Sequence, residues 1–274
     1  MNQQKQMERV PTVLAIAGSD PSGGAGIQAD LKTFATLGVY GAAAIAALTV
    51  QNTLEVRDAM PVPADFVAQQ VDAVIADIRV DVIKLGMLPN ADVCRAILPY
   101  LAGRMVVCDP VMVATSGARL LDPAAVSALT DLVIAHSTYI TPNLHELSIL
   151  CGKAVTDLRT AGMELLGRFA RLKGIVLKGG HADTHSAEVT DILLYRNDTD
   201  RQIHERVAVH PRYRTKNTHG TGCTLSSAFA AYLAKKEAPA DAFSKAVAYV
   251  NRLIGLSADI TVGHGNGPLL HHLF

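Results

Sequence analysis

The sequence predicts an α/β fold, a central and mostly parallel sheet flanked by helices. Two observations carry this. Short apolar runs alternate along the chain with amphipathic segments of helix length, the pattern of buried strands joined by helical crossovers. Of the 274 residues 49% are apolar and 18% charged, so a large core can form and disorder over most of the chain is excluded. At roughly 150 residues per domain the length allows one large domain or two small ones. No linker or low-complexity block interrupts it, so residues 12–274 are expected to form one domain behind an extended or disordered segment, 1–11.

Taken in order, Thr12–Ala17 reads as a buried strand, stopped by Gly18-Ser19-Asp20-Pro21. A helix begins near Ala25 and ends at Gly38. The alanine-rich stretch Val39–Val50 is ambiguous between helix and strand. Asp65–Asp77 follows two prolines and carries Phe66, Val67, Val71, Val74, Ile75 and Ile78 at helical spacing. Val80–Gly86 is a strand, Ala91–Leu101 a helix, Met105–Asp109 a strand and Thr138–Thr141 a short strand. Pro142 and Asn143 open the helix Leu144–Cys151; Arg159–Leu172 is a helix and Gly174–Lys178 a strand. Glu188–Tyr195 and Gln202–Val209 suggest a hairpin around Asn197-Asp198, and Thr221–Lys236 and Ala240–Asp259 are long helices. In such sheets ligands bind at the carboxyl ends of strands. That puts the loops after Ala17, Gly86, Asp109, Thr141 and Lys178 on one edge.

Lys plus Arg and Asp plus Glu are 25 each, a net charge of zero. This gives no broad attraction to nucleic acid or to anionic lipid. Four cysteines (Cys94, Cys108, Cys151, Cys223) lack C-x-x-C spacing and read as free thiols. The polar start lacks an apolar signal region, and the longest apolar stretch is shorter than the ~20 residues of a membrane span. A soluble, cytoplasmic protein without membrane partners is expected.

Gly220-Thr221-Gly222-Cys223-Thr224 precedes an apolar helix. Free amides and the dipole at a helix start make an anion pocket; the same segment is otherwise an ordinary glycine-rich helix start. Cys223 is either a small core residue or a thiol whose pKa the helix terminus lowers, able to take a proton. Ser22-Gly23-Gly24-Ala25-Gly26 is a second glycine-rich turn. It lacks the Walker lysine, and no Asp or Glu lies between 41 and 54, so a nicotinamide or flavin site is disfavoured. Asp30, Gln51, Asn52, Asp109 and Lys178 each have a bland role as a cap or surface charge beside a ligand role. Asn143-x-x-Glu146 has capping-box spacing, and Glu146 can also hold Mg²⁺ through water. His181 and His185 lie in a loop and His271 and His272 at the terminus, which argues against zinc.

Together these motifs resemble one family. They are Gly18 to Asp30, Gln51-Asn52-Thr53, Lys84-Leu85-Gly86-Met87, Asp109-Pro110-Val111-Met112, Thr141-Pro142-Asn143-x-x-Glu146, Lys178-Gly179-Gly180-His181, Thr215 to Thr224, and Gly263-His264-Gly265-x-Gly267-Pro268. In number and order, over roughly residues 12–268, they are similar to the hydroxymethylpyrimidine/phosphomethylpyrimidine kinases of the ribokinase superfamily. The resemblance implies a ribokinase-like fold with a small strand lid. It implies two ATP-dependent phosphorylations, of 4-amino-5-hydroxymethyl-2-methylpyrimidine and then of its monophosphate, in thiamine biosynthesis.

It also implies roles. The amides of Gly220, Thr221, Gly222 and Cys223 face the moving phosphoryl group, and Cys223 accepts the hydroxyl proton. Gln51 reads the pyrimidine; Gly18, Ala25, Met87 and Val111 line its pocket, with Asp30 near the substrate. Lys178, Asn143 and Thr218 meet ATP, and Asp109 and Glu146 act through Mg²⁺ and its waters. Family members are often dimers, so a homodimer is expected. The alternatives are a pyridoxal or pyridoxine (vitamin B6) kinase, which shares most of these motifs, and a non-catalytic ligand-binding module on the same fold.

Overall fold

The computed structural model describes residues 9–112, 123–180, 186–197 and 199–274. The expectations for His181, His185, Asp198 and residues 1–8 lie outside these. Of the expected N-terminal extension, Arg9 is described, and it pairs with Asp81 at 2.6 Å.

One nine-stranded sheet runs through the fold, in the order β3-β2-β1-β4-β5-β6-β7-β8-β9. The strands are β1 Thr12–Ser19, β2 Tyr40–Gln51, β3 Val56–Pro61, β4 Val82–Leu85, β5 Met105–Cys108, β6 Tyr139–Ile140, β7 Gly174–Leu177, β8 Glu188–Arg196 and β9 Ile203–Pro211. From β2 to β7, by way of β1, every neighbouring pair is parallel. β3, β8 and β9 add antiparallel edges. The helices are α1 Gly26–Thr36, α2 Ala64–Asp77, α3 Ala91–Leu101, α4 Pro123–Ala128, α5 Leu144–Cys151, α6 Leu158–Arg168, α7 Thr221–Ala234 and α8 Pro239–Ser257.

Alternation along the buried strands divides the core in two. Leu14, Ile16, Ile83 and Leu85 face a layer built by α2 to α6, including Val71, Ile97 and Leu165. Val13, Ala15, Val82 and Val107 face α1, α7 and α8 through Phe34, Phe229 and Phe243. This is the sequence-predicted architecture. Two details differ. The ambiguous stretch Val39–Val50 is strand, because Tyr40–Leu48 pairs with β1 on one side and Ala47–Gln51 with β3 on the other. Phe66, expected on the buried stripe of α2, is 56% exposed. It lies ~100° around the helix from Val67, and the stripe that packs runs through Val67 and Val71.

β1 pairs with β2 on one side and β4 on the other. The chain order therefore reverses beside β1, the place where open α/β sheets leave a crevice. An ion pair lies under that crevice: Lys84 Nζ on β4 meets Asp30 Oδ1 on α1 at 2.7 Å, both side chains fully buried. Ser227 Oγ donates to the same oxygen at 2.7 Å, and Asp30 Oδ2 has no hydrogen-bond partner among the described residues. Burial works against the Lys84 charge, but Asp30 outweighs it and holds its pKa above the ordinary lysine value. Breaking a buried pair from one side costs about 3–5 kcal/mol, because the other charge is left behind. Urea unfolding is expected to show a loss of that size for Lys84→Met. A smaller loss is expected for the double variant Lys84→Met, Asp30→Leu; equal losses would mean the pair is not the cause.

Candidate active site

A cavity of about 870 Å³ opens at the carboxyl ends of the parallel strands. Every sequence-predicted site residue but one lines it: Gly18, Ala25, Gln51, Met87, Asp109, Val111, Asn143, Glu146, Lys178, Thr218, Gly220, Thr221, Gly222 and Cys223. The exception is Asp30. It is fully buried beneath Lys84, and Lys84 is the residue that reaches the cavity wall. Asp30 therefore supports the floor and does not meet a ligand, a correction to the expected substrate contact.

Two glycine-rich segments meet at one end. The loop after β1 is organised by Asp20, whose Oδ1 accepts from Ser22 N (2.9 Å) and Ser22 Oγ (2.7 Å). Its Oδ2 accepts from Gly24 N (3.2 Å), Ala25 N (2.9 Å) and His219 Nε2 (2.8 Å). Burial opposes ionisation of Asp20, but the His219 and Ser22 hydrogen bonds outweigh it and hold its carboxyl at about 2. His219 thus ties this loop to the start of α7. There Gly220 has φ +84°, and a Cβ on it would collide with the Gly24 carbonyl. A side chain at 220 is excluded twice, by conformation and by space. The N-cap of α7 makes no side-chain hydrogen bond; Thr221 N donates to the Thr218 carbonyl at 3.3 Å, while among the described residues the Gly222 and Cys223 amides are left for another acceptor.

A charged cluster stands across from this terminus. Lys178 Nζ lies 2.9 Å from Asp109 Oδ1 and 3.8 Å from Glu146 Oε2. Thr141 Oγ1 donates to Asp109 Oδ1 at 3.0 Å. Gly222 faces this cluster, since a Cβ there would lie 3.4 Å from Lys178 Nζ and 3.6 Å from Asp109 Oδ2. Asn143 and Glu146 form the reciprocal capping box that their spacing predicts: Glu146 N donates to Asn143 Oδ1 at 2.9 Å, and Asn143 N to Glu146 Oε2 at 2.8 Å. Glu146 also borders the cavity. Burial raises its carboxyl to about 7, against the downward pull of Lys178.

Cys223 corrects a second expectation. The helix terminus was expected to lower its thiol; burial instead pushes it up to about 11. The Lys84 ammonium and the Gly26 N–H pull the other way, while Asp30 and Asp109 add to the rise. Among the described residues no group of three or more His, Cys, Asp or Glu is arranged to hold a metal ion. Two hard carboxylates at the rim, Asp109 and Glu146, fit Mg²⁺ carried in with phosphate oxygens and water, which seldom uses an all-protein cage.

Sequence reasoning passed over Asp20, His219 and Lys84 as site residues. Asp20 stands in a turn signal and His219 beside the glycines, but their contact joins residues 199 apart. Leu225, Val250, Asn251 and Ile254 also line the cavity, and none of them belongs to a motif that the sequence reading gave a role.

Comparison with known proteins identifies the family. A family model described as phosphomethylpyrimidine kinase matches residues 20–270. The chain belongs to the phosphomethylpyrimidine kinase family. It is 40% identical over 272 residues to the hydroxymethylpyrimidine/phosphomethylpyrimidine kinase of Escherichia coli (strain K12), covering 97% of this chain and 98% of that one. It is 44% identical over 267 residues to the thiamine biosynthesis bifunctional protein ThiED of Geobacter sulfurreducens, covering 96% of this chain and 52% of the relative. The chain thus spans about half of that longer relative. A pyridoxal kinase from Staphylococcus aureus, solved with AMP-PCP and pyridoxal, superposes with a TM-score of 0.81 at 29% identity, over 96% of this chain and 94% of that one. The fold is the ribokinase-like one.

The Lys178 clamp is testable in the free protein. Lys178 holds the Glu146 carboxyl down, so Lys178→Met is expected to move its titration above about 7. Carbon-13 NMR of labelled glutamate reads this directly. An unmoved or lowered titration would remove Lys178 as the partner.

Proposed function

We propose that this chain transfers the γ-phosphoryl group of ATP to the 5-hydroxymethyl group of 4-amino-5-hydroxymethyl-2-methylpyrimidine. The same site then phosphorylates the monophosphate, supplying the diphosphate for thiamine synthesis. Family membership makes the reaction class phosphoryl transfer with ATP as donor. One observation carries the site assignment: the uncapped start of α7 lines the same cavity as Gln51 on one side and Lys178 on the other.

Phosphoryl transfer needs positioning and charge stabilisation more than covalent help. The amides of Gly220, Gly222 and Cys223 supply the stabilisation, fixed before reaction and shielded from water; that of Thr221, also expected there, is already taken by the Thr218 carbonyl. Lys178, with Asn143 and Thr218, meets the ATP phosphates. Asp109 and Glu146 would hold Mg²⁺ through water, and the ion, when bound, would supply neutralisation of the phosphate charge. Gln51 reads the ring, while Gly18, Ala25, Met87 and Val111 form its apolar walls. Cys223 takes the hydroxyl proton. With its thiol near 11, the ionised fraction grows as pH rises, so turnover rises on the alkaline side.

Further parts of this proposal are a homodimer and a cytoplasmic location. No described helix is long and apolar enough to cross a membrane, which is compatible with that location. The second reading, a vitamin B6 kinase, draws on the likeness to pyridoxal kinase.

Mass analysis after incubation with ATP, Mg²⁺ and the pyrimidine is expected to show monophosphate, then diphosphate. Cys223→Ala is expected to lower kcat by about 10²–10⁴ and to flatten the alkaline rise. Faster turnover of pyridoxal than of the pyrimidine favours the second reading, and ligand binding without ADP release favours a pure binding module. Wild-type turnover by Cys223→Ala rejects the base role.

A further inference from the structure

Gln51 sits between two groups whose hydrogen-bond roles are already fixed. On one side, His219 Nε2 is shared between Asp20 Oδ2 at 2.8 Å and the Gln51 amide nitrogen at 3.3 Å. Asp20 accepts from Ser22, Gly24 and Ala25 as well, and an ionised carboxylate only accepts. His219 Nε2 therefore carries a hydrogen toward Asp20. An –NH₂ group facing the same nitrogen sets donor against donor.

On the other side, Thr49 Oγ1 lies 3.0 Å from the Ser19 carbonyl and 3.2 Å from Gln51 Oε1. A hydroxyl has one hydrogen, and the Ser19 carbonyl can only accept it. Thr49 then offers a lone pair to Gln51, so an oxygen there sets acceptor against acceptor. Both neighbours favour the same rotation of the amide by 180°, with Oε1 toward His219 and –NH₂ toward Thr49. The choice between the two amide orientations is made by such partners.

We infer that the Asp20–His219 pair, acting with Thr49, is a specificity device that fixes the orientation of the Gln51 amide. Set this way, the amide keeps one N–H and one carbonyl lone pair for the cavity that Gln51 lines. A donor beside an acceptor matches a ring nitrogen next to an exocyclic amine, the amidine edge of a 4-aminopyrimidine. A hydroxypyridine has no ring nitrogen adjacent to an N–H donor. His219 and Asp20 are positioning residues here, since they act through Gln51. The inference deepens the function proposed above and rests on it.

The test uses two substrates, the 4-amino-5-hydroxymethyl-2-methylpyrimidine and the same ring without its 4-amino group. The wild type is expected to prefer the amino compound by about 10- to 100-fold in kcat/KM. His219→Leu brings that preference close to unity, with any fall in kcat shared equally by the two substrates and KM for ATP within about twofold. His219→Gln keeps an N–H at similar reach and recovers the preference. Thr49→Val leaves the His219–Asp20 bond in place and lowers the preference by about fivefold, which decides the matter if His219→Leu does not fold. A wild-type preference kept by both His219→Leu and Thr49→Val overturns this inference alone. A wild type that phosphorylates neither pyrimidine overturns the proposed function and this inference with it.

Discussion

The site depends on one backbone contact, the Gly24 carbonyl against Gly220. Through it, the loop after the first strand and the start of α7 share one wall of the cavity. Neither loop is placed by its own helix. Asp20 folds the first by collecting the Ser22, Gly24 and Ala25 amides, and His219 carries the second to it. A glycine is needed at 220 because the approach leaves no room for a side chain. Among the described residues the Gly222 and Cys223 amides then stand without a side-chain cap from Gly220, while Thr221 N turns back to the Thr218 carbonyl.

Charge at the site is set in two tiers. Beneath the floor, Lys84 and Asp30 are closed off from solvent and join β4, α1 and, through Ser227, α7. At the wall, Lys178 links Asp109 and Glu146 and draws the ends of β5, β7 and α5 together. Burial works against the Lys178 charge, but the two carboxylates outweigh it and hold its pKa above the ordinary lysine value. The clamp is thus a fixed positive charge beside the α7 amides, in a cavity where charges act more strongly than in water.

Most of the fold was legible because its signals are local. Apolar runs of strand length mark β1, β4, β5 and β7, the capping-box spacing marks α5, and the glycine-rich start before an apolar run marks α7, all without reference to anything distant. Val39–Val50 was not legible: alanines carry no clear period, and pairing with β1 and β3 decides their conformation. The helix Pro123–Ala128 has no counterpart in the sequence-based expectation. Site residues were legible where they stood at strand ends or helix starts. Asp20 looked like turn punctuation and His219 stood in the Thr215 to Thr224 motif without a role of its own, since their meaning lies in a contact across the fold. Asp30 and the Cys223 thiol were misjudged for a shared reason. Position along a helix is written in the sequence, whereas depth of burial is set by tertiary packing.

The account rests on the α7 amides being held open by the close approach at Gly220. Gly220→Ala tests it most directly, because a methyl group there forces the two loops apart without removing any charged residue. With folding confirmed by circular dichroism, kcat for the pyrimidine is expected to fall by at least about 10²-fold, the usual loss when such donors are displaced. A folded Gly220→Ala protein with turnover within twofold of wild type would contradict the account.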